Sequence, residues 1–435
     1  MIPREMSKIA KQRAREFPVL TIVGPRQSGK TTLAKACFPS YGYVNLEDPE
    51  TRDMAENDYR RFFAVYKPPL IIDEIQRVPN LASAIQPMVD ERRAVPGQYI
   101  LTGSHQPMLK QTVTQSLAGR SAFLELLPLT FGELAQGPNK PKTDPDSLIL
   151  RGTMPELATS AMEASTYYRN YLNSYVERDV RLLANIRSTS AFNRFITLLA
   201  GRVGQLLNLN SMSGEVGVSH TTLGEWMDVL EASFIVFRLQ PYHSNIGKRL
   251  VKTPKIYFTE TGLASYLLGL RTAGQVARDP LRGNLFENLV VSELMKRIRN
   301  ADSGDELFFF RTSDGIEVDA LLRTGDGFRP IEIKSAMTQT ASLEAGLKRY
   351  LALQPESIAP TVVYAGRDLP AGKSGIEYRN FLSHSPADGT FRSPGDRRFG
   401  SPPEARTAPP CPPPPQTPRC RRSRRTRKHR SSPSP

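Results

Sequence analysis

Apolar runs of strand length alternate with helical stretches over the first third of the chain, from about residue 18 to residue 135. Five such runs are FPVLTIV, YGYVNL, PPLIIDE, GQYILTG and FLELLPL. This alternation is typical of a parallel sheet with helices packed on its faces. We therefore predict that residues 1–140 form an α/β domain.

Helical spacing of apolar positions dominates residues 150–275, which we predict to be a helical connector. The stretch LNLNSMSGEVGVSHTTLGEWMDVLEASFIVFRLQPY within it predicts a helix, a turn at Gly217, a second helix and a strand pair. That order is the outline of a winged helix. Glu225, Asp228 and Glu231 on the second helix would repel DNA phosphates. We therefore favour packing against protein over recognition of a DNA groove.

The last folded segment, residues 278–370, returns to a mixed α/β pattern. GNLFENLVVSELMKRI predicts a long helix, and ELFFFRT, EVDALLR and PIEIKSA predict three strands, followed by a helix at SLEAGLKRYLAL and a strand at APTVVYAG. Residues 385–435 contain almost no large apolar side chains. We therefore predict that they form a disordered tail rich in proline and arginine.

The net charge of +15 belongs mostly to the predicted tail. Residues 385–435 hold 12 Lys and Arg against 3 Asp and Glu. We favour incidental charge at a drifted C-terminus over a tail that binds nucleic acid electrostatically. Before the tail, Lys248, Arg249, Lys252 and Lys255 form a predicted basic patch, which is either a solvated face or a phosphate contact.

Three properties of the sequence favour a cytoplasmic protein that makes no membrane contact. No apolar run approaches the ~18 residues of a membrane span. The first stretch, MIPREMSKIAKQRAREF, lacks the apolar core of a secretory signal. Cys37, Cys411 and Cys420 lack metal-site spacing and cannot form a disulfide framework.

Two glycines and a lysine stand where the first predicted strand passes into a helix. The stretch GPRQSGKT fits the P-loop pattern. Its glycines let backbone N–H groups turn around phosphate oxygens, Lys30 adds a positive charge there, and Thr31 ligates Mg²⁺. The sequence therefore predicts ATP and Mg²⁺ as cofactors, with a nucleotide cradle of Gly24, Pro25, Arg26, Gln27, Ser28, Gly29, Lys30, Thr31 and Thr32.

The runs PPLIIDE and GQYILTGS supply the acids and hydroxyls that a P-loop site needs. Asp73 is predicted to hold Mg²⁺, and Glu74 to polarise the attacking water. Thr102 or Ser104 is placed to touch the γ-phosphate or that water, although a plain strand end would carry such hydroxyls too. Arg120 in SLAGR is either a surface arginine or an arginine finger acting across a subunit interface, which would make the protein a homo-oligomer.

Taken in order, GPRQSGKTTL, LIIDEIQ, YILTGS and SLAGR resemble a widespread prokaryotic family of AAA-type P-loop ATPases. In that family the ATPase module is fused to a C-terminal domain of unknown function, which YVERDV, GKRLVKTPKIYFTETGLASYLLG and LRGNLFENLVVSELMK resemble. The resemblance covers about residues 5–370 and implies a sensor at Thr102 or Ser104 and an arginine finger at Arg120. Arg151 departs from the pattern, because the family usually has a glycine there. Nucleotide binding would change if that turn packs against the nucleotide.

The last folded segment also carries the layout of a restriction-endonuclease-like fold, with a helical Glu287, a strand Asp319 and Glu332-x-Lys334 on the paired strand. The three carboxylates would hold one or two Mg²⁺ ions, and Lys334 would position the attacking water at a phosphodiester. Solvent-facing residues of an ordinary α/β domain would give the same pattern. Nuclease-like folds are also often retained as binding modules.

These features predict an α/β protein with a P-loop NTPase domain, a helical and winged-helix-like connector and a restriction-endonuclease-like domain. Its function would be Mg²⁺-dependent ATP hydrolysis coupled to a nuclease-like module that cleaves or binds nucleic acid. One alternative is an ATP-dependent regulatory or scaffolding protein whose C-terminal domain binds a partner protein without catalysis. Another is a DNA-binding regulator in which ATP sets the oligomeric state.

Overall fold

The computed structural model describes most of the first 383 residues. The described ranges are 1–104, 116–138, 143–174, 186, 188–242 and 251–383. The predicted tail at 385–435, the stretch YVERDV, and Lys248 and Arg249 of the predicted basic patch lie outside these ranges. Among the helices within them, we find none with the length and apolar character needed to cross a membrane.

A five-stranded parallel sheet forms the first part of the chain, and all five predicted strands are present. They are β1 (Val19–Val23), β2 (Gly42–Asn45), β3 (Leu70–Asp73), β4 (Tyr99–Gly103) and β5 (Ser121–Glu125). Their order across the sheet is β2-β3-β4-β1-β5, and each neighbouring pair is parallel. The carboxyl ends of all five strands therefore share one edge, where ligands of open α/β sheets usually bind.

Helices cover both faces of this sheet. They are α1 (Ser7–Glu16), α2 (Lys30–Cys37), α3 (Pro49–Asn57), α4 (Tyr59–Val65) and α5 (Leu81–Glu91). Leu20 and Ile22 pack with α1 and α2, whereas Val19 and Val23 pack with α4 and α5. Because side chains alternate along a strand, a continuous apolar run such as VLTIV can fill both sides.

The next segment is mainly helical, as predicted. Its helices are α6 (Phe131–Ala135), α7 (Pro145–Arg151), α8 (Pro155–Thr159), α9 (Ala164–Tyr171), α10 (Thr189–Ala200), α11 (Leu209–Val216), α12 (His220–Ala232), α13 (Thr261–Leu267) and α14 (Ala273–Val276). Two short strands, β6 (Val236–Leu239) and β7 (Lys255–Phe258), pair in an antiparallel manner.

The predicted helix, turn, second helix and strand pair correspond to α11, α12, β6 and β7. Helix α11 ends at Gly217, whose φ of 83° favours glycine, and the Ser219 hydroxyl caps α12 by accepting a backbone N–H at 3.1 Å. Arg238 of β6 binds Asp228 and Glu231 of α12. Two of the acids expected to repel DNA are therefore paired within the protein. The winged-helix assignment stays a prediction.

The C-terminal segment forms a mixed sheet with a helix on each face. Its elements are α15 (Arg282–Ala301), β8 (Glu306–Arg311), β9 (Glu317–Thr324), β10 (Gly327–Lys334), α16 (Ala345–Leu353), β11 (Thr361–Tyr364) and β12 (Glu377–Asn380). The strand order is β12-β11-β10-β9-β8, with β8–β10 antiparallel and β10–β12 parallel. Strand β12 was missed because only Tyr378 of its four residues is buried.

One apolar cluster connects the middle helices with the C-terminal sheet. It includes Phe192 of α10, Trp226 of α12, Phe286 of α15 and Ile331 of β10. The apolar packing therefore continues across the predicted division at residues 275–278. The predicted domain limits stay predictions.

Gly152 is a position in this packing that leaves no room for a side chain. It follows α7 with φ 69°, and a Cβ there would lie 2.0 Å from Glu260 Oε1 and 2.3 Å from the Tyr168 hydroxyl. We predict that Gly152→Ala lowers the free energy of unfolding by about 3 kcal/mol or more. Gly214→Ala is the control, because Gly214 lies in α11 with open space around it. It should raise stability by about 0.5–1 kcal/mol, and equal urea midpoints for the two variants would contradict this packing.

Candidate functional site

The predicted P-loop connects β1 to α2 at the carboxyl edge of the first sheet. Gly24 passes so close to the chain after β5 that a Cβ would lie 2.1 Å from the Leu126 carbonyl oxygen. Gly29 has a φ of 93°, which favours glycine. Lys30 Nζ donates hydrogen bonds to the carbonyl oxygens of Gly24 at 3.1 Å and Pro25 at 2.8 Å. The ammonium group therefore lies against the loop that we expect to hold phosphate.

Lys30 is almost fully buried, with 5% of its surface exposed. Burial lowers the pKa of its ammonium group to about 8, although Glu74 and Asp73 oppose the shift. A buried cation with too little negative charge around it is stabilised by any anion that joins it. The loop is therefore electrostatically suited to a phosphate group.

Asp73, at the carboxyl end of β3, joins three hydroxyl groups from three elements. Thr31 Oγ1 donates to its Oδ2 at 2.8 Å, and the Tyr43 hydroxyl donates to the same oxygen at 2.9 Å. Thr102 Oγ1 donates to the other oxygen, Oδ1. The predicted partners Thr31, Asp73 and Thr102 are thus brought together. Tyr43 was missed, because nothing in the short β2 sequence, in which two of four residues are exposed, singles it out.

Glu74 follows Asp73 in a left-handed conformation, with φ 58° and ψ 42°. Its Oε2 accepts a hydrogen bond from Gln76 Nε2 and lies 3.5 Å from Ser104 Oγ. Gln76 Nε2 also donates to Ser104 Oγ at 3.1 Å. The carboxylate is therefore oriented by two neighbours, of which Ser104 was predicted and Gln76 was not.

Arg120 lies away from the P-loop of its own chain. It directly precedes β5 at the amino end of the sheet, where Val19 pairs with Ser121, whereas the P-loop follows the carboxyl end of β1. Its guanidinium group makes two hydrogen bonds to Asp90, at 2.6 and 2.8 Å. Arg120 therefore does not complete the nucleotide site of the same chain. Action on a neighbouring chain stays a prediction.

A cavity of about 650 Å³ opens beside the P-loop. From the predicted cradle it is lined by Arg26, Gln27, Gly29, Lys30, Thr31 and Thr32, together with Glu74. The remaining lining comes from both ends of the ATPase segment and from the helices after it, including Ile2, Arg4, Pro155, Thr159, Tyr167 and Tyr171. The Tyr167 hydroxyl donates to Gln27 Oε1 at 2.7 Å. The volume is that of a typical small-molecule pocket.

Arg151, the departure from the family pattern, is absent from the described lining of this cavity. Its guanidinium group donates to the carbonyl oxygens of Leu157, of Ser160 at 3.0 Å and of Met162 at 3.3 Å. These contacts hold the end of α8, a helix that contributes Pro155 to the cavity. Any effect of Arg151 on nucleotide binding is therefore indirect.

A second polar centre lies at the start of β9 and the end of β10. Lys334 Nζ lies 3.2 Å from Asp319 Oδ2 and 2.7 Å from Glu332 Oε1. The backbone N–H of Ile333 donates to Asp319 Oδ2 at 2.8 Å. The predicted strand acids and lysine are thus brought together.

Glu287, the predicted helical member, binds two residues that sequence reasoning did not connect with it. Its Oε1 accepts from Lys255 Nζ at 2.9 Å and from the Tyr257 hydroxyl at 2.5 Å. Lys255 also pairs with Glu317 Oε1 at 2.7 Å. Lys255 was predicted to lie in a basic surface patch. That expectation is wrong, because its ammonium group is buried among these acids.

Burial raises the pKa of both Glu287 and Glu332 to about 7, and the nearby Asp319 carboxylate adds to each shift. Within the described ranges, we find no group of three or more His, Cys, Asp or Glu side chains arranged to hold a metal ion. At this centre the two lysines lie between the acids. The predicted metal role of Glu287, Asp319 and Glu332 stays a prediction.

The fold and the P-loop geometry define the first part of the chain as an AAA-type P-loop ATPase domain. A family model described as an AAA domain matches residues 16–135. Two models of domains of unknown function, DUF8612 and DUF4143, match residues 142–274 and 282–379.

Relatives extend this similarity over most of the chain. This chain is 30% identical over 360 residues to the uncharacterized protein Rv2008c of Mycobacterium tuberculosis. Its identity to the uncharacterized protein Mb2031c of Mycobacterium bovis is the same. Each alignment covers 80% of this chain and 77% of the relative. The chain therefore belongs to the same family as these two mycobacterial proteins. An uncharacterized Haemophilus influenzae protein is 24% identical over 348 residues, covering 72% of this chain and 82% of its own.

Two solved structures are similar to this chain at lower sequence identity than these relatives. A Walker-type ATPase of Pyrococcus abyssi is 13% identical, covering 61% of this chain and 96% of its own, with a TM-score of 0.39. The Thermotoga maritima RuvB Holliday junction branch migration motor is 19% identical, with a TM-score of 0.30. That match covers 55% of this chain and 90% of the RuvB chain.

The lowered pKa of Lys30 predicts that nucleotide binding takes up a proton. A bound triphosphate would raise that pKa again, so the complex holds more protons than the free protein above pH 8. ATP affinity should therefore fall as the pH rises through about 8. The uptake should be large at pH 9, where the free lysine is mostly neutral, and small at pH 7, where it is mostly charged. Calorimetry in two buffers of different ionisation enthalpy measures this proton uptake. Lys30→Arg, whose side chain stays charged, should show no proton uptake at pH 9.

Proposed function

We propose that the protein hydrolyses ATP in a Mg²⁺-dependent reaction. The observation that carries this proposal is the contact between Thr31 and Asp73, 2.8 Å apart, directly beside the buried Lys30. A hydroxyl and a carboxylate in contact are the oxygen ligands that Mg²⁺ takes in P-loop sites. Bound there, Mg²⁺ would neutralise negative charge on the β- and γ-phosphate oxygens.

Each of the other residues at this site has a role in the proposed reaction. Lys30 would exchange its carbonyl partners for phosphate oxygens. Glu74 would orient and polarise the attacking water, while Gln76 and Ser104 hold its carboxylate in place. Thr102 donates a hydrogen bond to Asp73 Oδ1 and thereby keeps the other carboxylate oxygen, Oδ2, facing Thr31.

The position of Arg120 supports action between chains. It lies at the opposite edge of the sheet from its own P-loop, so its charge can reach a γ-phosphate only in a neighbouring copy. Its two hydrogen bonds to Asp90 fix the guanidinium group near the surface. In this proposal a homo-oligomer brings Arg120 of one protomer to the nucleotide of the next.

Buried polar contacts support coupling between the nucleotide site and the C-terminal domain. Arg4 donates to the Ser28 carbonyl oxygen of the P-loop at 2.6 Å and to Glu133 Oε1 of α6 at 3.0 Å. In the same helix, the backbone N–H of Phe131 donates to Glu293 of α15 at 3.1 Å. A change in the P-loop backbone would therefore be transmitted to α15 through two hydrogen-bonded residues of α6.

Helix α15 reaches from these contacts to the second polar centre. Glu293 faces the ATPase domain, and Glu287 of the same helix binds Lys255 and Tyr257. We propose that the nucleotide state and the C-terminal centre influence each other through this helix. The regulatory and scaffolding alternative uses the same connection without chemistry at the centre.

A second candidate function is Mg²⁺-dependent cleavage of a phosphodiester at the C-terminal centre. The observation in its favour is Glu332 Oε2, which is buried and has no hydrogen-bond partner among the residues that the structure describes. It lies beside Asp319 and Lys334, and one or two carboxylates are a usual protein contribution to a Mg²⁺ site. The residues present thus fit a single ion, with Lys334 free to turn toward a phosphate.

The proposed role of Glu74 makes binding and turnover separable. Glu74→Gln should bind ATP with the affinity of the original protein and lose ATP turnover by about 100-fold or more, because the water-polarising carboxylate is gone. Lys30→Ala should lose nucleotide binding itself. Glu56→Gln, an exposed change in α3, is the control that should leave both unchanged. Phosphate release and nucleotide titration measure the two effects, and full turnover by Glu74→Gln would refute its role.

Cleavage is tested with the full chain, Mg²⁺ or Mn²⁺, and single- and double-stranded DNA and RNA. We expect products from at least one of these substrates and a loss of about 100-fold or more in Asp319→Asn. Asp326→Asn, an exposed change in the turn between β9 and β10, should cleave normally. Absence of products from every substrate would reject the second candidate. Sequence-specific DNA binding without ATP hydrolysis would favour the DNA-binding regulator.

A further inference from the structure

Lys255 of β7 is buried inside the second polar centre, although it precedes the C-terminal sheet by some 50 residues. Its Nζ lies 2.9 Å from Glu287 Oε1, 2.7 Å from Glu317 Oε1 and 3.9 Å from Asp319 Oδ1. Only 3% of its side chain is exposed. An ammonium group with three carboxylates around it occupies the kind of position that a metal ion takes among acids.

The centre is divided into two halves by Asp319. Its Oδ1 faces Lys255, and its Oδ2 accepts from Lys334 Nζ at 3.2 Å. Glu287 and Glu317 belong to the Lys255 half, and Glu332 belongs to the Lys334 half. Each half therefore holds one lysine among carboxylates.

The two lysines differ in how easily their side chains could move out of the centre. The Lys334 side chain is 36% exposed and can turn into solvent, whereas Lys255 is enclosed on β7. Glu332 in the Lys334 half keeps a buried oxygen without a partner among the described residues, whereas Glu287 in the other half is bound by both Lys255 and Tyr257. Among the described residues, the buried oxygen of Glu332 beside Lys334 is therefore the contact that we assign to a divalent cation.

We propose that Lys255 is a fixed cation that takes the place of one metal ion, so that the centre accepts a single divalent ion between Asp319 and Glu332. A divalent ion on the Glu287 side would meet the ammonium charge at about 4 Å, where two positive charges repel each other strongly at the dielectric of a protein. This inference rests on the second candidate function. It makes Glu287 a positioning residue that holds Lys255, and not the metal ligand expected from the sequence.

Counting bound Mn²⁺ in the nucleotide-free full chain tests the inference without any cleavage assay. Asp73→Asn is introduced throughout to remove the P-loop ligand, and free Mn²⁺ is measured by electron paramagnetic resonance. One ion should bind. Glu332→Gln should weaken it at least about tenfold, because a ligand is lost. Glu287→Gln should change the affinity less than about threefold, because its amide oxygen still accepts from Lys255. Two bound ions, or equal weakening by both variants, would overturn the inference.

Lys255→Met removes the ammonium group and keeps the length of the side chain. Relative to the parent, which is the Asp73→Asn protein, we expect the number of bound Mn²⁺ ions to rise by one. We also expect added Mn²⁺ to raise the melting temperature of Lys255→Met more than it raises that of the parent. If the parent binds none and Lys255→Met binds one, the exclusion by Lys255 is supported and the Mg²⁺ part of the second candidate fails. An unchanged number of ions in folded Lys255→Met would overturn the inference. If that variant does not fold, the comparison of Glu287→Gln with Glu332→Gln decides.

Discussion

The carboxylate of Asp73 receives hydroxyl hydrogen bonds from three elements of the ATPase domain. Thr31 comes from α2, Tyr43 from β2 and Thr102 from β4. A buried carboxylate is costly unless donors surround it, so these three contacts fix where the P-loop helix stands relative to the sheet. The geometry of Lys30 and Glu74 depends on that placement, because Lys30 is the first residue of α2 and Glu74 directly follows Asp73.

Local patterns were sufficient for the first sheet and the P-loop. Each of its five strands overlaps one of the five runs predicted from the sequence, and the GPRQSGKT stretch encodes its own turn, since Gly24 and Gly29 have the backbone conformations that the loop requires. Asp73 and Thr31 could be paired in advance, because the carboxyl ends of parallel strands meet the start of the following helix. The order of the strands did not follow from the sequence, which carries no signal for sheet neighbours.

Residues whose partners are distant in sequence could not be assigned. Lys255 looked like a surface lysine, since its contacts with Glu287 and Glu317 span 32 and 62 positions. Arg4 is likewise one of several basic residues near the start of the chain, and only the fold brings it to Ser28 and Glu133. The Asp319 and Glu332 pair was accessible because a hairpin between adjacent strands sets their separation.

Helix α15 has 20 residues and is about 30 Å long. Its polar contacts at Glu293 and Glu287 face different parts of the molecule, and buried apolar residues along its length leave little freedom for bending. Thermodynamic linkage is symmetric: under the proposed coupling, an occupant of the C-terminal centre would change ATP affinity by the same factor by which ATP changes the affinity of that occupant. ATP affinity therefore offers a way to search for an unknown partner of the distant centre.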